Sequence, residues 1–264
     1  MLTVVKSMVQ TVASFAELHR REVAETWASR REVLPRDWLE ALNFFLRRVS
    51  LPYGNGGPLA HYEPVKIALL DFFSDGAQSK VERYEEAWRN QWIPHRPDWS
   101  GFPAKGNRLL SMLCDTKILK KAQREMILDV LRFIRGIPEL NLVKHSLFSI
   151  RRGKIMEHHR ELREIRRIGS RSASSYLGDL LILYGIKRNG SDRTGTTQPV
   201  DRWVRSISSE LGVIHSNDSD ASARAKILRE CDSAGVASSD FFAGARYLGA
   251  NSPRIARILL EIAK

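Results

Sequence analysis

Apolar residues recur at helical intervals along almost the whole chain, and this restricts it to one fold class. Across residues 2–30, Val5, Met8, Val12, Phe15, Leu18, Val23 and Trp27 share one helical face. A second stripe, Leu39, Leu42, Phe45, Leu46 and Val49, follows the helix-starting segment Pro35-Arg-Asp-Trp38. The pattern predicts further helices near 64–73, 83–92, 106–120, 121–135, 139–150, 154–166, 171–185, 201–211, 218–233, 239–248 and 252–263. Breakers crowd residues 51–58, 93–103 and 187–198, which are expected to be irregular. No stretch alternates as a half-buried strand does, and no repeat of about 20–50 residues is visible. The expected fold is therefore all-α, built from ten or more short helices.

Composition narrows the partner. The 264 residues carry a formal net charge of +12, with 30 Arg against 12 Lys. Arginine's planar fork suits phosphate, so an anionic partner such as nucleic acid is expected. Apolar residues make up 43% of the chain, enough for a packed core rather than disorder. Cys114 and Cys231 are far apart and have neither zinc nor iron–sulfur spacing, so free thiols in a reducing cytoplasm are expected. Lys6 and Gln10 interrupt the N-terminal apolar run, which reads as an amphipathic helix and not as a secretory signal. The longest apolar run, near residues 180–186, is far short of a membrane span. A soluble, monomeric, intracellular protein is expected, associated with the nucleoid if the cell is prokaryotic.

Residues 165–173, IRRIGSRSA, form a turn between two helices. Ile165 and Ile168 can anchor the turn to a core, and Gly169 permits a positive φ or the close approach of a phosphate. Ser170 or Ser172 can cap the following helix. A helix N-terminus at this point offers backbone N–H groups to an anion. Eight Lys or Arg against three Glu lie between residues 151 and 171. Downstream, Asp201 opens the helix of PVDRWVRSISSELG. It reads either as a helix-start acid favoured by the dipole or as a catalytic carboxylate, the latter favoured by the turn upstream. Asp179, inside an apolar helix, reads as a structural, partnered acid. His158 and His159 are adjacent and do not share a helix face, so they read as part of a solvated basic helix with no metal site.

IRRIGSRSAS resembles the helix–hairpin–helix of the endonuclease III-like DNA glycosylase superfamily, whose pattern is roughly L-P-G-[IV]-G-x-K-[ST]-A. PVDRWVRSISSELG is similar to that superfamily's aspartate-bearing V-D-T-H-V-x-R-[IV]-x-x-R-L-G segment. FFAGARYLGANS resembles the closing helix of some members. The resemblance covers about 160–212, more weakly 239–252, and elsewhere only the architecture. Arg166-Arg167 stands where the family has Pro-Gly, and the loop 187–198 lengthens the path from hairpin to acid.

The resemblance implies a two-lobed helical bundle with a cleft between the lobes. One lobe would span 37–186 and end in the hairpin; 1–36 and 187–264 would form the other. It implies binding of double-stranded DNA through Arg166, Arg167, Ile168, Gly169, Ser170, Arg171, Ser172 and Arg202. It also implies hydrolysis of the N-glycosidic bond of a damaged or modified base flipped from the duplex. Asp201 would then orient or activate water and stabilise an oxocarbenium-like transition state. The family's bifunctional members carry Lys where this chain has Arg171, and an arginine cannot serve as a neutral amine. Strand cleavage is therefore not expected, although Lys154 or Lys187 stay open as substitutes. Tyr53, Asn55, Tyr62 and Trp99, with Phe102, are candidates for the base pocket or for filling the gap left by the base. Trp27, Trp38, Trp88 and Trp203 are expected in the core. No cofactor is expected beyond a monovalent cation at the hairpin carbonyls, with Ile168 a contributor, and the family's iron–sulfur cysteines are absent. The rival expectations are a non-catalytic hairpin DNA-binding protein, a bifunctional enzyme using an unrecognised lysine, and a helical scaffold with an incidental basic face.

Overall fold

The structure is a computed structural model that describes residues 2–49, 65–69, 113, 121–186 and 200–251. Among these residues all regular structure is helical. In chain order the helices are α1 (Leu2–Ser14), α2 (Ala16–Trp27), α3 (Trp38–Val49), α4 (Lys121–Gly136), α5 (Leu142–Arg151), α6 (Ile155–Glu164), α7 (Ser170–Leu183), α8 (Arg202–Glu210), α9 (Asp220–Ala234) and α10 (Ser238–Asn251). A single 3₁₀ turn, Ala28–Arg30, follows α2, and residues 65–69 are helical. Among the described residues no helix is long and apolar enough to cross a membrane. The expected helices at 83–92 and 252–263 lie outside the described residues, and so does all of 106–120 except Leu113.

The chain divides into two compact units, residues 30–177 and residues 1–29 with 178–264. The division falls inside α7.

In the unit of residues 30–177, apolar stripes on α3, α4 and α5 supply the core, with Phe44, Phe45, Leu131, Ile134 and Leu147 buried. Asp37 starts α3 by accepting from the amides of Leu39 and Glu40, and Asn141 starts α5 by accepting from the amide of Lys144. The Asn141 amide group also donates to the Leu34 carbonyl at 3.0 Å, fixing the entry of α5.

The other unit packs α10 against α1, α2 and α8. Its core holds Val9, Val12, Val204, Ile207, Ile227, Phe241, Phe242 and Leu248. Residues 2–30 were expected as one helix, but the helix breaks at Phe15. The Ser14 hydroxyl donates to the Thr11 carbonyl, and the Phe15 amide turns instead to the Val12 carbonyl. That is a serine competing with the backbone ladder and forcing a 3₁₀ step. Gly244 lies where α10 meets α1: a Cβ at this position would come within 1.8 Å of the Val12 carbonyl oxygen. Trp27 and Trp38 are buried as expected, Trp203 is only half-buried, and Trp88 lies outside the described residues.

Candidate functional site

The turn after α6 follows the period of its sequence. Ile165 and Ile168 are buried, while Arg166, Arg167, Gly169, Ser170 and Arg171 are exposed and Ser172 is half-buried. The Ile168 amide donates to the Ile165 carbonyl at 3.0 Å and closes the turn. Gly169 was read as permitting a positive φ or the close approach of a phosphate; the positive φ falls on Arg167, at 70°. Two buried isoleucines three positions apart must both point inward, and the intervening pair reverses the chain at a left-handed residue. Arg167 stands where the resembled family has its first glycine, so the backbone here matches a glycine position without the glycine.

Gly169 contributes space, since a Cβ there would meet nothing within 4 Å. Its carbonyl accepts from the Ala173 amide at 3.1 Å, and α7 begins at Ser170. Ser170 or Ser172 was expected as the cap, but Ser170 is the first residue of the helix and Ser172 the third; the Ser170 carbonyl lies 3.2 Å from His159 Nε2. The first amides of a helix lack intrahelical acceptors and carry the positive end of its dipole. Here they follow an open glycine and stand among exposed arginines. Among the described residues Arg167 pairs with Glu125 at 3.7 Å.

His158 and His159 are both buried, which corrects the expected solvated face. His159 Nε2 reaches Ser174 Oγ on α7 at 3.0 Å and thereby braces the helices on either side of the turn. Helix α6 offers inward room to both because Ile155 and Leu162 flank them on the same side. Burial holds the His158 imidazole below its usual titration range, against the opposing pull of Glu161.

In the other unit Asp201 precedes α8. Its Oδ1 accepts from the amides of Trp203 at 2.9 Å and Val204 at 3.1 Å, and its Oδ2 accepts from Arg246 Nε of α10 at 2.6 Å. Buried Val200 and Val204 set the entry angle. The Asp201 side chain keeps 24% of its surface exposed. Both oxygens are thus held by N–H donors, and a negative charge is fixed in one orientation within reach of solvent. Arg202 is exposed, with its guanidinium 4.2 Å from the Trp203 ring centre. That indole packs on Gly249, where a Cβ would lie 2.7 Å from the Trp203 Cβ.

Asp179 is buried, as expected for a structural acid. Tyr53, Asn55, Tyr62, Trp99 and Phe102 lie outside the described residues, as do Lys187 and Cys114. Lys154 is exposed and pairs with Glu157 at 3.2 Å. Two groups escaped the sequence reading. Arg246 is 45 positions from Asp201, and no local pattern pairs them. His145, His158 and Glu161 gather their ligand atoms within 4.8 Å of one another. The i, i+3 spacing of His158 and Glu161 on α6 was the available signal for the second group. No family model, no curated protein and no solved structure matches the chain.

Proposed function

We propose that this chain is a monofunctional DNA glycosylase that hydrolyses the N-glycosidic bond of a damaged or modified base flipped from duplex DNA. The observation that carries the reading is the hairpin backbone. Arg167 adopts a left-handed conformation at the position where the resembled family has glycine, between two buried isoleucines, and a helix N-terminus follows. A left-handed arginine is disfavoured by about 1–2 kcal/mol relative to the right-handed form. Retention of that conformation supports the hairpin reading more strongly than the letters of the motif do.

In this reading the exposed amides and Arg163, Arg166, Arg167 and Arg171 take the phosphates of one strand. Asp201 supplies the fixed negative charge. As the glycosidic bond breaks, the sugar ring becomes cationic, and a carboxylate already oriented by the amides of Trp203 and Val204 and by Arg246 lowers the barrier without having to reorganise. Water completes the hydrolysis. Arg171 stands at the family's lysine position and stays charged, so no covalent amine adduct forms.

The engagement of both Asp201 oxygens also favours a second reading, a hairpin DNA-binding protein in which Asp201 serves only as a helix cap. A panel of lesion-bearing duplexes separates the two. Under the first reading mass spectrometry detects a free base, the strand breaks only after alkali, and borohydride traps no adduct. Under the second, the duplexes bind and no base is released.

A further inference from the structure

We propose that His145 Nε2, His158 Nδ1 and the Glu161 carboxylate form a binding site for a zinc-type divalent metal ion that clips α5 to α6. The hydrogen bonds around the three groups assign the free lone pairs. His145 Nδ1 lies 2.7 Å from Glu139 Oε2, so that nitrogen carries the proton and Nε2 presents its lone pair. Nε2 faces Glu161 Oε2 at 3.6 Å. On the other side, Ser146 Oγ donates to the Leu142 carbonyl at 2.7 Å. With the Ser146 proton on that carbonyl, His158 Nε2, 2.8 Å away, is the donor to Ser146 Oγ, and in this tautomer Nδ1 of His158 presents its lone pair. That Nδ1 lies 2.9 Å from the same Glu161 Oε2.

In these tautomers His145 Nε2 and His158 Nδ1 both face one oxygen of Glu161. An extra proton can satisfy one of these contacts; a cation among the three satisfies both. A tetrahedral zinc ion with bonds of about 2.0–2.1 Å sets its ligand atoms about 3.4 Å apart. The two separations around Glu161 Oε2, 2.9 and 3.6 Å, bracket that edge, and the three ligand atoms all lie within 4.8 Å of one another, so binding would draw the wider pair together.

The surroundings have the form that metal sites use. Glu139 behind His145 supplies a carboxylate–histidine pair, and Ser146, within 3.0 Å of the Tyr176 hydroxyl, holds the far nitrogen of His158. Such outer partners fix the ring orientation and tautomer of the ligands. The two histidine rings stand edge to face with centres 5.0 Å apart. The His158 side chain is fully buried, whereas 47% of the Glu161 side chain is exposed, so an ion has a path in and water can take the fourth position. Two imidazoles and one carboxylate suit zinc and its neighbours over magnesium or calcium. The clip lies on the helix that leads into the turn at 165–169, and it does not depend on whether the chain excises bases.

The test is zinc binding by the full chain, measured by chelator competition and by metal content after gel filtration. The expected result is one zinc per chain. Glu161→Gln and His145→Gln, both at partly exposed positions, should weaken binding at least about 100-fold while keeping the helical circular dichroism of the parent. Glu139→Gln should weaken it about 10–100-fold, as outer partners do. Glu157→Gln on the same helix should leave it unchanged. Absence of stoichiometric zinc in the parent, or equal binding by Glu161→Gln and His145→Gln, overturns the proposal and leaves adventitious metal only.

Discussion

Asp218 shows how tightly a single carboxylate can be held in this fold. Lys226 Nζ lies 2.8 Å from each of its oxygens and the His215 amide donates at 2.7 Å, and these bonds bring its pKa from the usual 3.8 to about 2. A carboxylate depressed in the native state stabilises the fold above its unfolded value and loses that contribution as acid protonates it. Stability supplied by Asp218 is therefore fully present above about pH 4 and is lost as the pH falls through about 2. Urea unfolding of the parent and of Lys226→Gln at stepped pH checks this. The variant should lose stability less steeply between about pH 4 and 2, because the group then titrates nearer its unfolded value. Arg246 and Asp201 differ from that local cluster. Their contact joins α10 to the start of α8 across 45 positions, and nothing in either segment's letters announces it.

Helices α6, α7 and α10 show which parts of the fold their sequences carry and which they do not. The inward positions of the turn were legible because Ile165 and Ile168 are the only apolar residues between Leu162 and Ala173. The residue that bends the backbone was not, because glycine is the usual mark of a left-handed position and Arg167 holds it here. Replacing Arg167 by Gly should leave stability unchanged or raise it by up to about 1 kcal/mol, since relief of strain outweighs the freer unfolded chain. Arg167→Val should instead destabilise the parent, because branching at Cβ adds to the crowding that any Cβ meets at positive φ, and denaturant midpoints distinguish the two. On α10 the opposite holds: the backbone of α1 fills the space where Gly244 lacks a side chain. Gly244→Ala should cost about 2–3 kcal/mol because the Val12 carbonyl must move, whereas Gly178→Ala, with open space around it, should be neutral or stabilising by about 0.5–1 kcal/mol. The break at Phe15 was missed because it depends on what the Ser14 hydroxyl bonds to, which periodicity does not encode. The burial of His158 and His159 was legible, since they stand three and four positions after Ile155 with Leu162 seven positions on, the stripe of an inward helix face.

For the whole molecule, the all-α class followed directly from apolar spacing, while the charge pattern spoke only of an anionic partner. The net charge of +12 predicts duplex binding that weakens with salt. If the four arginines around the turn neutralise about four phosphates, log Kobs falls against log salt with a slope of about −3.6. Removing Arg166 and Arg171 together should flatten that slope by about 2 and weaken all duplex sequences alike. Fluorescence anisotropy across a salt series measures both.

The most direct measurement of the central claim compares base release by the parent and by Asp201→Asn on one mixed-lesion duplex, read by mass spectrometry. The asparagine keeps an oxygen for the amides of Trp203 and Val204, so the start of α8 survives while the charge is lost. The account predicts a free base from the parent, at least about 100-fold slower release from the variant, and duplex binding retained by both. Release at equal rates, or no released base from the parent on any lesion in the panel, contradicts it.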